Sequence, residues 1–320
     1  MIAAPDRVVL TLGEPLVLFA ATEAGPLSGV RRFERFAAGA ELNVAIGLAR
    51  LGCDVGYLGR VGDDSFGQFL LEILDHEGID RKGVAIDRDH PTGFMLKSRT
   101  DDGRDPEIEY HRRGSAASHM GVDATPTTPG PRARCLHLTG ISPALSPACR
   151  ELVLRLARAA RDAGCRVSFD PNLRLRLWPD KAAMIATLAE LAALSDVVLP
   201  GLAEGRLLTG GDTPQQVAAY YLERGAQEVI VKLGAEGAFC ADRSGFEAFV
   251  PGLPVGRVVD TVGAGDAFAV GVISAQLEGL PLHAAAARGN LLGARALRFP
   301  GDSDGLPTRA QLDVETNERR

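Results

Sequence analysis

The sequence predicts an α/β protein in which helices cover both faces of a mostly parallel sheet. Beyond residue 134, short apolar segments alternate with longer segments of helical pattern, as they do in parallel sheets. Before residue 114, several short strand-like segments lie close together and predict a second, smaller sheet. A chain of 320 residues can form one large α/β domain, and we expect a single domain over 1–320.

The second half of the chain shows the alternation most clearly. The predicted strands are 135–138, 166–170, 196–199 and 228–232, followed by hairpin-like strands up to residue 250. The predicted helices are 147–163, 181–194, 202–208, 214–223, 264–277 and 282–298. Ligands of such sheets bind beyond the carboxyl ends of the strands, so we expect the site there.

The first half mixes strands with two helices. Strands are predicted at 8–12, 16–20, 30–37 and 57–61, a helix runs from 38 to 51, and Asp64 or Ser65 caps a helix at 66–76. Segments 84–86, 93–100 and 107–112 have the pattern of short strands with hairpin turns, the sharpest turn at 101–103. Together with the strands near residues 16 and 33, they are expected to form the small sheet.

Composition excludes several classes of protein. The formal charge of −6 and the dispersed arginines argue against a nucleic-acid partner. Apolar segment 8–21 is interrupted by a charge and lacks a basic leader, and no other apolar run reaches membrane-spanning length, so we expect a cytoplasmic protein without a membrane partner. The five cysteines are scattered and the six histidines lack metal spacing, which favours reduced thiols over disulfides or a zinc site.

The segment 260–268 carries the strongest chemical signal. Gly263 and Gly265 permit a sharp turn and close approach to a ligand, and the apolar run that follows predicts a buried helix. The free amides of 262–265 would bind a phosphoryl group, and Asp266 would accept a proton from a neighbouring hydroxyl. The alternative is an ordinary turn followed by a helix cap. If phosphoryl transfer occurs here, the small sheet, formed by about 14–37 and 91–113, is a candidate lid that excludes water.

Further polar residues follow the predicted strands. Arg174 and Arg176 could neutralise phosphate oxygens, and Glu204 could hold Mg²⁺ through water. Alternatively, Arg174 and Arg176 are ordinary surface charges, and Glu204 interacts with the helix dipole in the first turn of its helix. Arg112 and Arg113, beside Tyr110, offer a forked grip on a carboxylate or phosphate, or else form a solvated edge strand. No Walker, protein-kinase or dinucleotide motif occurs in the sequence.

The ordered motifs 39–45, 59–67, 232–237 and 260–268 resemble those of the ribokinase-like carbohydrate kinases over nearly the whole chain. The resemblance implies a ribokinase-like three-layer fold with a small β lid, ATP and Mg²⁺, a monovalent cation in some members, and a homo-oligomer formed through the lid. It also implies that Asp266 is the catalytic base and that Gly263, Ala264 and Gly265 form the anion hole.

Segments 110–116, 170–178 and 300–308 are most similar to those of the 2-keto-3-deoxygluconate kinases within that family. By that resemblance, Arg112 would hold the carboxylate of the sugar acid. The other residues expected around the sugar acid are Gly39, Ala40, Asn43, Tyr110, Asn172 and Arg174. Those expected around the nucleotide and its phosphates are Asn172, Arg174, Lys232, Gly234, Gly237, Gly263, Gly265 and Asn290.

Three positions depart from the family pattern. Ala38 stands where many relatives have a glycine, Met95 where an aromatic contact is common, and Gly201 where an asparagine precedes the metal-linked glutamate. The first two departures affect the contacts to the sugar tail, and the third affects the metal role of Glu204. Two other functions stay open. The chain could phosphorylate a neutral sugar or nucleoside, or it could be a catalytically silent sugar-sensing module on the same fold.

Overall fold

The computed structural model describes residues 7–100 and 106–317, and strands and helices alternate along them. The first half contains β1 (Val9–Leu12), β2 (Leu16–Ala24), β3 (Phe33–Ala38), α1 (Ala40–Arg50), β4 (Val55–Gly62), α2 (Ser65–His76), β5 (Asp80–Asp87), β6 (Phe94–Arg99) and β7 (Ile108–His111). The second half begins with β8 (Cys135–Thr139), α3 (Pro147–Asp162), β9 (Arg166–Asp170), α4 (Lys181–Ala193), β10 (Val197–Val198), α5 (Leu202–Thr209) and α6 (Pro214–Glu223). It ends with β11 (Glu228–Lys232), β12 (Gly237–Asp242), β13 (Glu247–Pro251), α7 (Ala264–Leu277), α8 (Leu282–Ala296) and α9 (Arg309–Asn317).

The central sheet has nine strands in the order β13-β12-β11-β10-β9-β8-β1-β4-β5. Strands β11 through β5 in this order are parallel, whereas β12 and β13 add an antiparallel edge. Strand β1 separates β4 from β8, so the chain builds the sheet outward first on one side of β1 and then on the other. The carboxyl ends of the parallel strands therefore meet along one edge, where such sheets bind ligands.

Apolar side chains fill both faces of this sheet. One cluster packs α1, α2, α7 and α8 against one face, and a second cluster packs α3, α4 and α6 against the other. The small, apolar sequence of α7 is buried from Asp266 to Ala275, which explains why this helix has no polar face. Among the described residues, no helix is both long and apolar enough to cross a bilayer.

The small sheet has four strands in the order β3-β2-β6-β7. One of its faces packs against α2 through the rings of Phe19, Phe66 and Phe94. The opposite face is apolar and is centred on Leu16, Leu18 and Met95. The small sheet thus lies beside the edge of the central sheet at which the parallel strands end.

One strand was assigned to the wrong sheet from the sequence. Segment 84–86 belongs to β5, which pairs in parallel with β4 in the central sheet. Helix α2 connects these two strands, and a helical crossover is the usual connection between parallel neighbours. The predicted hairpin turn at 101–103 lies outside the described residues, and helix α9 was not predicted.

Candidate active site

A cavity of about 520 Å³ opens between the small sheet and the carboxyl ends of the central strands. Most of the predicted site residues line it: Gly39, Ala40, Asn43, Tyr110, Arg112, Asn172, Arg174, Glu204, Lys232, Gly263, Gly265 and Asp266. These residues come from several strands, helices and loops spread along the chain, and folding brings them together.

Helix α7 begins at the floor of this cavity. Its N-cap, Gly263, has φ 81°, a left-handed conformation that glycine adopts without strain. A Cβ built there would lie 2.5 Å from the carbonyl oxygen of Asp302, so no larger residue fits. The first-turn amides have no carbonyl partner within the helix, and those of Gly263, Ala264 and Gly265 are the candidate anion hole.

One part of the expected anion hole is already engaged. The amide of Val262 donates to Asp260 Oδ1 at 3.0 Å, so it is not free to bind a phosphoryl oxygen. The anion hole therefore stays a prediction for the amides of Gly263, Ala264 and Gly265, and the Val262 amide instead holds the turn. An aspartate two residues before an amide commonly forms this turn.

Asp266 lies in the first turn of α7 and its carboxylate is held between two amides. Asn43 Nδ2 donates to Oδ2 at 2.8 Å, and Asn172 Nδ2 donates to Oδ1 at 3.3 Å. Burial raises the pKa of Asp266 to about 7, and the hydrogen bond from Asn43 opposes this shift. A carboxylate with this pKa is half ionised near neutral pH, which suits a general base.

The loop after β9 orients Asn172. Its φ of 39° is the only left-handed value among the described non-glycine residues, and its amide donates to Asp170 Oδ1 at 3.1 Å. Asparagine tolerates this conformation better than most side chains. The turn directs the Asn172 amide group to Asp266, which is 94 residues away in the chain.

Two cations face the start of α7. Lys232 Nζ bonds to Asp170 Oδ2 at 2.6 Å, and a Cβ on Gly265 would lie 3.6 Å from the same nitrogen. Burial alone would lower the pKa of Lys232, but the nearby charges of Asp170 and Glu204 outweigh burial and raise it. Arg174 also lines the cavity and favours the ionised form of Asp266. Lys232 therefore stays charged beside the amides that would receive a phosphoryl group.

Arg112 directly follows β7 of the small sheet and also lines the cavity. Its Nε donates to Glu14 Oε2 at 2.7 Å, and Nη2 contacts the same oxygen. Ser115 Oγ donates to the other carboxylate oxygen of Glu14 at 2.5 Å. Nη1 has no partner in the part of the chain that the structure describes, so one corner of the guanidinium faces the cavity. Exposed Tyr110 lies beside it, 5.6 Å from ring centroid to guanidinium carbon.

Glu204 lines the cavity with a carboxylate that backbone groups already hold. The amide of Gly201 donates to Oε2 at 2.8 Å, and the amide of Leu173 donates to Oε1 at 2.7 Å. It therefore joins the start of α5 to the loop after β9. Among the described residues, no group of three or more His, Cys, Asp or Glu side chains forms a metal cluster.

Three residues expected near the nucleotide lie outside this cavity. Asn290 donates to the carbonyls of Val250 and Pro251 at 3.1 and 3.0 Å, which joins α8 to the end of β13. Gly237 has φ 110°, and a Cβ there would lie 2.1 Å from the carbonyl oxygen of Val250. Gly234, with φ 62°, forms the turn between β11 and β12. A nucleotide would have to extend beyond the cavity to reach them.

A buried lysine beside this site was not predicted from the sequence. Lys97 on β6 contacts Asp260 and Asp302, which flank the turn before α7. The available signal was a single charge at the end of the apolar run 93–97, since a charge is rarely buried unless it is paired. Glu14, the partner of Arg112, gave a similar signal, because it is the single charge within the apolar segment 8–21.

The pattern of the pfkB family carbohydrate kinases matches residues 8–309. A 2-dehydro-3-deoxygluconokinase from Bacillus subtilis strain 168 is 48% identical over 304 residues, which cover 95% of this chain and 93% of that relative.

Solved structures share the fold over nearly the whole chain. The PfkB protein from Polaromonas sp. JS666 is 46% identical with a TM-score of 0.87, covering 96% of this chain and 99% of that one. A structure described as a ribokinase II from E. coli, in complex with ATP and Mg²⁺, is 26% identical with a TM-score of 0.89, covering 98% and 99%.

The fold and the site are those of a sugar kinase, in which a buried aspartate lies at the N-terminus of a helix beside a cleft. The chain belongs to the pfkB family of carbohydrate kinases.

Proposed function

We propose that this kinase transfers the γ-phosphoryl group of ATP to the terminal hydroxyl of 2-keto-3-deoxygluconate. The observation that carries the proposal is the position of Asp266, buried at the start of α7 between the amides of Asn43 and Asn172. The 48% identity to a 2-dehydro-3-deoxygluconokinase supports the choice of substrate.

In the proposed reaction, Asp266 accepts the proton of the hydroxyl while the hydroxyl oxygen forms a bond to the γ-phosphorus. The bond between that phosphorus and the bridging oxygen of ADP breaks in the same displacement. The amides of Gly263, Ala264 and Gly265, with Lys232 and Arg174 nearby, stabilise the charge on the phosphoryl oxygens.

Mg²⁺, when bound, would neutralise charge on the nucleotide phosphates. Asp170 and Glu204 offer oxygen atoms at the cavity, but each carboxylate already accepts hydrogen bonds from the protein. Mg²⁺ usually keeps several waters and few protein ligands. This fits contact with Glu204 through water rather than direct coordination.

The small sheet is proposed to act as the lid of the site. It covers the cavity with Leu16, Met95 and Ile108, all on its apolar face. Closure would exclude water from the phosphoryl group. Water would otherwise compete with the sugar as the acceptor of that group. The half-buried Phe36 on the same face is proposed to contact the small sheet of a second copy of the chain.

Arg112 is proposed to bind the substrate carboxylate through its free Nη1 corner. Glu14 occupies the other edge of the guanidinium and fixes its orientation. The same ion pair cancels the charge of Arg112, and this favours the second candidate, a kinase of a neutral sugar such as fructose or ribose.

A substrate panel separates the two candidates. We expect kcat/KM for 2-keto-3-deoxygluconate to exceed that for fructose and ribose, and Arg112→Gln to lower it by roughly tenfold to a hundredfold for the acid, the range for losing a charged hydrogen bond. Equal losses on the acid and on neutral sugars would instead mean that Arg112 maintains the shape of the site.

A further inference from the structure

Lys97 places a buried ammonium group directly behind the anion hole. Its Nζ bonds to Asp260 Oδ2 at 2.5 Å, to the carbonyl of Pro300 at 2.8 Å and to Asp302 Oδ1 at 3.1 Å. The side chains are 3% exposed for Lys97, 8% for Asp260 and 4% for Asp302. All three protons of the ammonium are therefore used, away from bulk water.

Both acidic partners hold the turn that precedes α7. Asp260 accepts the Lys97 ammonium on Oδ2 and the Val262 amide on Oδ1. Asp302 presents its backbone to Gly263 so closely that a Cβ on Gly263 would lie 2.5 Å from its carbonyl oxygen. One cation thus fixes the turn from two sides, and it projects from β6 in the small sheet.

The charges in this cluster require a cation. Two carboxylates and one carbonyl converge on a single positive group, and removal of that group would leave two buried anions uncompensated. Burial alone would lower the pKa of Lys97. The negative charges of Asp302 and Asp260 have the larger effect and raise this pKa, so the ammonium stays charged at neutral pH. Carbonyl and carboxylate oxygens around one charge are also the ligands that a potassium ion accepts in proteins.

We propose that Lys97 is a positioning residue whose ammonium serves as a built-in monovalent cation for the anion hole. It holds Asp260 and Asp302 so that the amides of Gly263, Ala264 and Gly265 keep the geometry needed for phosphoryl transfer. The inference rests on the proposed function, and it means that the parent enzyme needs no added alkali cation.

The test compares Lys97→Met with the parent at one ionic strength, in choline chloride and in potassium chloride. Methionine keeps much of the length of the lysine side chain and removes its charge. Lys181→Met is the matched control, because Lys181 is exposed at the start of α4. Turnover, KM for each substrate and the thermal midpoint are measured for all three proteins in both salts.

In choline, we expect Lys97→Met to lose roughly tenfold to a hundredfold in kcat, with a smaller change in KM, because misplaced amides weaken the transition state more than binding. Potassium should recover at least about threefold of that loss and raise the thermal midpoint of the variant, because an ion bound to the folded state stabilises it. The parent and Lys181→Met should respond equally to the two salts.

Three results would overturn the inference. They are a kcat for Lys97→Met within about twofold of the parent, activation of the parent itself by potassium, or a loss that potassium does not recover in a folded variant. The last result would mean that Lys97 only joins the small sheet to the rest of the fold.

Two further measurements keep the inference open to contradiction if Lys97→Met does not fold. The salt titration of the parent requires no variant. The double variant Lys97→Met with Asp302→Asn removes one of the two buried carboxylates that would lack a cation. It should fold, and its activity should still depend on potassium. If the parent phosphorylates another acceptor instead of the keto acid, the proposed substrate fails, and the same salt comparison with that acceptor still decides the role of Lys97.

Discussion

Asp266 combines a position and an environment that its sequence motif only suggested. As the third residue of α7, it would be an ordinary first-turn acid in many helices. Here both of its oxygens accept amide hydrogens, and burial raises its pKa to about 7. A surface cap would have neither feature, so the structure favours the role of base over that of a cap.

Replacement of Asp266 by asparagine should abolish most of the turnover and leave the fold intact. We expect kcat to fall by at least roughly a hundredfold, the magnitude associated with loss of a general base. Asp313→Asn, at an exposed position on α9, provides the control for a change from Asp to Asn. Turnover near that of the parent in a folded Asp266→Asn variant would remove Asp266 from this role.

The pH profile should report the same carboxylate. The base must be ionised, so kcat/KM should be full only well above pH 7, half-maximal near pH 7, the raised pKa of Asp266, and lower still as the pH drops. The hydrogen bond from Asn43 favours the ionised form, so Asn43→Ala should raise the pKa and move the midpoint to higher pH. A midpoint that stays in place or moves to lower pH would contradict this assignment.

Among the elements, the turn before α7 is the most constrained. Gly263→Ala should destabilise the fold by roughly 2–4 kcal/mol, because it adds left-handed strain and a collision with Asp302. Gly210→Ala is the matched control. Gly210 has a similar φ of 78°, but a Cβ there meets nothing within 4 Å, so this substitution should lower stability by only about 1 kcal/mol.

Denaturant unfolding of both glycine variants measures the difference in their stability. Steady-state kinetics measures kcat, which depends on the geometry of the anion hole. Gly263→Ala should also lower kcat, whereas Gly210→Ala should leave kcat unchanged because it lies at the end of α5, away from the cavity. If the two variants lose equal stability, the close approach of Asp302 does not constrain the turn.

For the whole molecule, the apolar face of the small sheet predicts self-association. Leu16, Leu18 and Met95 are buried in one chain, whereas Phe36 and Ile108 on the same face remain partly exposed. An apolar patch that the rest of the chain leaves open commonly marks an interface.

Light scattering should therefore show that the parent is an oligomer at micromolar concentration, and that Phe36→Lys shifts it toward the monomer. Phe249→Lys is the control, because Phe249 is 55% exposed on the edge strand β13 and distant in sequence from the small sheet. A monomeric parent, or dissociation by both substitutions, would argue against association through this face.

Local patterns were sufficient to predict much of this protein. Hydrophobic periodicity predicted most helices to within a few residues, and the motifs 39–45, 59–67, 232–237 and 260–268 predicted the family, which the comparisons confirm. These signals lie within short segments, where backbone preferences and side-chain spacing act directly. The assignment of 84–86 to the small sheet failed because the choice of strand partner is not a local property.

The contacts that complete the site depend on groups far apart in the chain. Asn43 and Asp266 are 223 residues apart, Lys97 and Asp260 are 163 apart, and Glu14 and Arg112 are 98 apart. The sequence indicated Asp266, Asn43 and Arg112 as site residues, but it did not show which side chains would pair, because pairing across such separations is not a local property. Folding removes water from these groups, and a buried charge or amide must then find a partner, which is why the tertiary structure decides their roles.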